Sequence, residues 1–165
     1  MNIVVATSAD IPRFRTFLNA ALTSLGLPTT ASTTVLRGWL AQGYWYFVFV
    51  EEAGVIYSGL LAHPVETARW GRVCKINMLM VRPSLTNANK LLALDTLIFW
   101  MCNRLQSVGI QVAFGVQRRN ISDYVANGLG ATEDPERSNA DEVFLWGRLD
   151  EIALRVMARH PTWQL

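Results

Sequence analysis

Residues 73–81 read VCKINMLMV, followed by RPSLTNAN at 82–89, KLLALDTLIFWMCNRLQSVG at 90–109, IQVAFGV at 110–116 and QRRNISDYVANGLGA at 117–131. The first block is apolar at most positions of both alternating faces, as in a central strand covered on both sides. The second is a polar turn containing Pro83. The third completes a helix from about residue 87 to 108, stopped by Gly109, and the fourth is a strand that follows directly. Strand, crossover helix and strand make a parallel unit whose helix lies across the sheet. If the chain does chemistry on a small molecule, the turn 83–90 is where it is expected. A strand that stops at a proline and restarts as a helix leaves backbone N–H groups at the positive end of the helix dipole, a site for phosphate or another anion. The same residues also suit an ordinary strand-to-helix connection.

Upstream, residues 2–6 predict a short strand, and the Thr7, Ser8, Asp10 cluster with Pro12 predicts a helix start. Ile11, Phe14, Leu18, Ala21, Leu22 and Leu25 then recur at helical spacing until Gly26 and Pro28. A second helix is expected from about Thr30 to Gly43, with Val35, Leu36, Trp39 and Leu40 on one side. Residues 44–50 and 55–62 read as a hairpin around Glu51, Glu52, Ala53 and Gly54, and an irregular loop is expected through Pro64 and Trp70. Downstream, residues 121–127 allow a short helix, 133–141 a polar turn, 143–149 a last strand and 150–160 a final helix ended by Pro161.

A chain of 165 residues, 51% apolar and 17% charged, suits one globular domain. Its 15 basic and 13 acidic residues are scattered, apart from Arg118 and Arg119, which argues against nucleic acid as the main partner. Cys74 and Cys102 lack metal or redox spacing and read as buried thiols in a reducing compartment. The start MNIVVATSAD lacks the pattern of a signal peptide, and the apolar run 91–102 is interrupted by Asp95 and too short for a membrane span. A cytoplasmic protein that engages no membrane is therefore expected. The six tryptophans and the YWYFVF run at 44–49 suggest an apolar surface kept for a protein partner or a second copy.

From residue 2 to about 149 the order of elements resembles the GCN5-related N-acetyltransferase superfamily. VFVEEAGVIYSGLLA is similar to the family's second and third strands. INMLMVRP with LLALDTLIFWMCNRLQSVGI is similar to the strand and helix that hold coenzyme A, and NISDYVANGLGA to the closing motif that begins with Asn120. The resemblance implies an α/β (α+β) fold: a mixed, mostly antiparallel sheet of six to seven strands, with helices on both faces. Residues 1–149 would form the domain and 150–165 a C-terminal helical extension of it.

It also implies that acetyl-CoA is the co-substrate, with no metal, and that an amine is the acceptor. By position, the edge of Leu79, Met80 and Val81 would pair with the pantetheine arm. Backbone amides at Thr86, Asn87, Ala88, Asn89, Lys90 and Leu91 would hold the diphosphate, and Asn120 would join the coenzyme site. The family's Arg or Gln is Thr86 here, and its two glycines fall on Asn89 and Leu91. Asn87 and Asn89 tolerate left-handed backbone angles and can shape a phosphate nest. Arg118 and Arg119 could meet the adenosine phosphate or form a solvated pair.

The tyrosine that protonates the leaving thiolate in many members stands four residues before the Leu-Gly glycine. That position is Ala126 if the glycine is Gly130, and Tyr124 if it is Gly128. Tyr124 is the candidate acid, against a packing role. The strand 73–81 offers Lys75 and Asn77 but no carboxylate, so His63 is the candidate base, with Glu66 also near in sequence. Asp95 could anchor a polar network or face water. A second reading is a catalytically inactive fold serving structure or interaction, as in virion-associated proteins of some short-tailed phages, whose pattern this chain also resembles.

Overall fold

The computed structural model describes residues 1–29, 32–42, 46–119 and 122–163. In chain order the elements are β1 (Asn2–Val5), α1 (Ile11–Ser24), α2 (Thr33–Ala41), β2 (Tyr46–Glu52), β3 (Val55–Thr67), β4 (Gly71–Val81) and α3 (Asn87–Gln106). Then come β5 (Val112–Arg118), β6 (Thr132–Glu133), β7 (Glu142–Arg148) and α4 (Leu149–Arg159). The strands form one seven-stranded sheet in the order β1-β2-β3-β4-β5-β7-β6. The β4–β5 pair is parallel, and the β1–β2, β2–β3, β5–β7 and β6–β7 pairs are antiparallel. This is the mixed, mostly antiparallel sheet with a C-terminal helix that the element order implies. No helix among the described residues is long and apolar enough to cross a membrane.

The chain divides into two compact units, Met1–Ala62 with Met78–Leu97, and His63–Asn77 with Ile98–Leu165. In the first, α1 starts with Pro12 in its first turn and ends before Gly26, whose φ of 65° suits a residue without Cβ. Its buried stripe of Ile11, Phe14, Phe17, Leu18, Ala21 and Leu22 lies on the hairpin. The Phe14 ring sits 4.3 Å from Phe47 and 5.6 Å from Phe17. Gly59 admits this packing, since a Cβ there would lie 2.7 Å from Phe14 and 3.0 Å from Phe17. The preceding residue, Ser58, points to the other face, where its hydroxyl donates to the Ala93 carbonyl of α3 at 2.8 Å. Helices therefore cover both faces of β3 in this unit.

The register between β2 and β3 shifts after Val50↔Ser58 to Glu51↔Ile56, leaving Tyr57 as an extra residue. The shift turns Ile56 into the core beneath α1. Opposite it, Glu51 meets Arg13, whose guanidinium also lies 4.8 Å over Phe49.

In the second unit, β5 lies between β4 and β7, and α4 packs back on β7. A Cβ on Gly147 would come within 2.9 Å of Ile152. Cys74 and Cys102 are buried free thiols, and burial pushes both up to about 12.

The expected irregular loop through Pro64 is strand instead. β3 runs to Thr67, and β4 begins after a short turn at Ala68 to Trp70. Pro64 is tolerated there because it lies beyond Tyr46↔Ala62, the last described pair with β2, so that pairing does not need its missing N–H. The second helix starts at Thr33, with the Ser32 hydroxyl accepting from the Val35 N–H. β5 begins at Val112, two residues later than its apolar run. Asp95 does not face water; it is fully buried.

Replacing Gly59 with leucine forces a side chain into the Phe14 and Phe17 rings. It should cost about 1–3 kcal/mol of stability, read from urea unfolding midpoints. A variant as stable as the parent would mean that α1 can lift off β3 at no cost.

Candidate functional site

The turn between β4 and α3 is held by bonds to β3. The Arg82 N–H donates to the Tyr57 carbonyl at 2.7 Å, and its Nε–H to the Ile56 carbonyl at 2.7 Å. The chain then turns at Pro83 and Ser84, with the Leu85 N–H donating to the Arg82 carbonyl. Thr86 caps α3: its hydroxyl accepts from the Asn89 N–H at 3.3 Å and its carbonyl from the Lys90 N–H at 2.9 Å. The Asn87 and Ala88 N–H groups, at the positive end of the 20-residue α3, donate to no acceptor among the described residues.

Leu79, Met80, Val81, Thr86, Asn87, Ala88, Asn89, Lys90 and Leu91 thus lie along one continuous strand, turn and helix start. Thr86, Asn87, Ala88 and Asn89 are exposed, and the Leu91 side chain, where the resemblance expects glycine, is 39% exposed. Met80 packs its side chain on the core beneath α1. The left-handed nest expected of Asn87 and Asn89 is absent, because the Thr86 cap draws both into right-handed helix. Among the described residues Ala53 is the one non-glycine with positive φ.

In the second unit, β4 pairs with β5 through Cys74↔Ala113, Lys75↔Phe114 and Ile76↔Gly115. A Cβ on Gly115 would lie 3.0 Å from the Ile76 carbonyl, so glycine permits this approach. Beyond the last pair, Asn77 Nδ2 lies 2.6 Å from His63 Nδ1. Burial, and next the Lys75 charge, lower the His63 pKa from its ordinary 6.5, so the imidazole is neutral near pH 7. The Asn77 partner sets its chemistry. An amide N–H donated to Nδ1 keeps the ring proton on Nε2, whereas the amide turned over accepts from Nδ1–H and puts the lone pair on Nε2. The second arrangement suits a base.

Tyr124 opens a five-residue π-helical turn, Tyr124–Gly128, in which the Leu129 N–H donates to the Tyr124 carbonyl at 2.9 Å. Gly130, at φ 70°, lies two residues past the turn, where the Ala131 N–H reaches back to the Val125 carbonyl. Of the two spacings open in the sequence, Gly128, the last residue of the turn, has Tyr124 four residues ahead, and Gly130 has Ala126. The Tyr124 ring rests on Gly128, where a Cβ would lie 3.2 Å from it. Asn120 lies outside the described residues.

A cavity of about 820 Å³ is lined by Arg118, Arg119, Asn139, Ala140, Asp141 and Glu142. Its Arg119 is engaged by Glu133 at 2.9 Å and the Asn139 carbonyl at 3.0 Å. Sequence reasoning missed the Arg82 anchor, which carries no local signal. It also missed the Thr86 cap, although threonine just before a helix start signals one.

No protein-family model and no curated protein matches the chain. Solved structures do. The PaiA N-acetyltransferase of Thermoplasma acidophilum, in complex with coenzyme A, superposes with a TM-score of 0.70 at 11% identity, covering 89% of this chain and 98% of that one. The ribosomal-protein-alanine N-acetyltransferase of Brucella melitensis gives 0.69 at 15% identity, over 90% and 99%. The fold is that of the GCN5-related N-acetyltransferases. The NatC complex bound to a Gag peptide and CoA is similar to the same extent, with a TM-score of 0.66 at 14% identity over 90% and 99%.

Thr86→Ala should cost about 1 kcal/mol through loss of the α3 cap, measured by thermal or urea unfolding. The His63 ring should titrate below 6.5 when followed by NMR. Its unfolded state then binds more protons than the folded one in the window just below 6.5. The stability it contributes is complete above that value and is lost as pH falls, and His63→Gln should flatten this slope.

Proposed function

We propose that the chain binds acetyl-CoA at the β4–α3 turn and transfers the acetyl group to an amine by direct attack. The observation that carries this reading is the pair of N–H groups of the exposed residues Asn87 and Ala88, which meet no acceptor among the described residues, at the start of α3 in a fold shared with proteins solved with CoA. Those amides suit the diphosphate, with Lys90 adding positive charge nearby and the edge of Leu79, Met80 and Val81 orienting the thioester. In the reaction the amine nitrogen bonds to the thioester carbonyl carbon and the carbon–sulfur bond breaks. The nitrogen gives up a proton and the leaving thiolate takes one, the roles for which the sequence offers His63 as base and Tyr124 as acid.

A second reading, a fold kept for structure or interaction without transfer, is favoured by the Thr86 cap, which occupies the Asn89 N–H, and by the Leu91 side chain. Calorimetry with acetyl-CoA separates the two. The first reading expects micromolar binding, and ligand at about 100 times its Kd should add about 2.7 kcal/mol of stability. Asn87→Pro removes one N–H at a helix position where proline is tolerated. It should weaken binding about tenfold with little change in Tm. No heat and no Tm shift at millimolar acetyl-CoA would sink the enzyme reading in favour of the second.

A further inference from the structure

The C-terminal helix α4 lies past the last strand and outside the coenzyme and acid positions considered so far, yet two of its arginines reach the turn that carries Tyr124. Arg159 Nη1 donates to the Gly128 carbonyl at 2.7 Å. The Arg155 guanidinium lies across Gly130, where a Cβ would sit 2.3 Å from its Nε. Glycine at 130 therefore serves both the left-handed closure of the turn and the passage of Arg155. Gly128 is also the residue against which the Tyr124 ring rests. The residues after Arg159 are anchored as well: Trp163 stacks on His160 with ring centroids 4.0 Å apart and packs 5.4 Å from Phe99 of α3.

A five-residue π-helical turn has few internal bonds to hold its shape. A guanidinium on the carbonyl that ends it supplies a charge-assisted bond from a longer, well-packed helix, whose Ile152, Ala153 and Val156 are buried.

We propose that Arg159 is a positioning residue for Tyr124: by holding the Gly128 carbonyl, it fixes the backbone on which the tyrosine ring lies. The inference rests on Tyr124 as the proton donor for its catalytic consequence, but not for its structural one. The test uses the full chain carrying Arg159→Ala, Arg159→Lys or Gly128→Ala, the last pushing on the ring directly should Arg159→Ala fail to fold. Tyrosine ring NMR, with the Tyr124 signal assigned by Tyr124→Phe, should show that signal displaced in Arg159→Ala and Gly128→Ala and near its parent position in Arg159→Lys. Hydrogen exchange at the Leu129 and Ala131 amides should quicken at least tenfold in Arg159→Ala, while the β5 and β7 amides keep their rates. With acetyl-CoA and an accepted amine, kcat should fall about tenfold to a hundredfold with KM for acetyl-CoA unchanged. An unmoved Tyr124 signal with parental exchange overturns the proposal. So does a displaced ring in an active enzyme whose kcat is unchanged. A parent protein that transfers no acetyl group sinks the proton-donor reading alone, and the ring and exchange measurements still decide whether Arg159 holds the turn.

Discussion

One extra residue in β3 ties the packing of the first unit to its candidate site. Without the irregularity at Tyr57, strict alternation from Ser58 would turn Ile56 away from α1, and the core beneath Phe14 would lose it. Consecutive carbonyls in a regular strand also point to opposite neighbours. At the bulge both the Ile56 and the Tyr57 carbonyl bond to Arg82, the residue that follows β4 and opens the turn to α3. The place where coenzyme chemistry is proposed is thus fastened to the same stretch of β3 that seats α1.

At the helix start, stability and anion binding compete for the same groups. Each N–H in the first turn of α3 can be satisfied by a side chain of the protein or by a ligand, not by both. Thr86 takes the Asn89 N–H and in doing so fixes Asn87 and Asn89 as ordinary helical residues. What is left for an anion is the pair at Asn87 and Ala88. A glycine-rich turn would make the opposite choice, with more exposed amides and a less stable helix start.

The second unit resolves a similar tension differently. The π-helical turn at Tyr124–Gly128 accommodates an extra residue before Gly130, and Arg159 from α4 supplies a bond that so short a turn cannot make for itself. Glycine recurs where a neighbour packs close: Gly59 under the Phe14 and Phe17 rings, Gly115 beside the Ile76 carbonyl and Gly147 beneath the Ile152 side chain.

The sequence by itself determined most of the helices and strands, and the parallel unit from β4 through α3 to β5, because those depend on local periodicity and on glycine and proline as stops. The likeness of that order to a family was legible for the same reason. It placed Leu79 to Val81 and Thr86 to Leu91 on one strand, turn and helix, as the structure has them. Only the tertiary structure decided that Pro64 stays in strand, that Asp95 is buried, that Thr86 occupies an amide, that Asn77 meets His63, and that Arg159 bonds to the Tyr124 turn. Each of these turns on a partner distant in sequence or on the competition for a single hydrogen bond, and neither leaves a mark on periodicity.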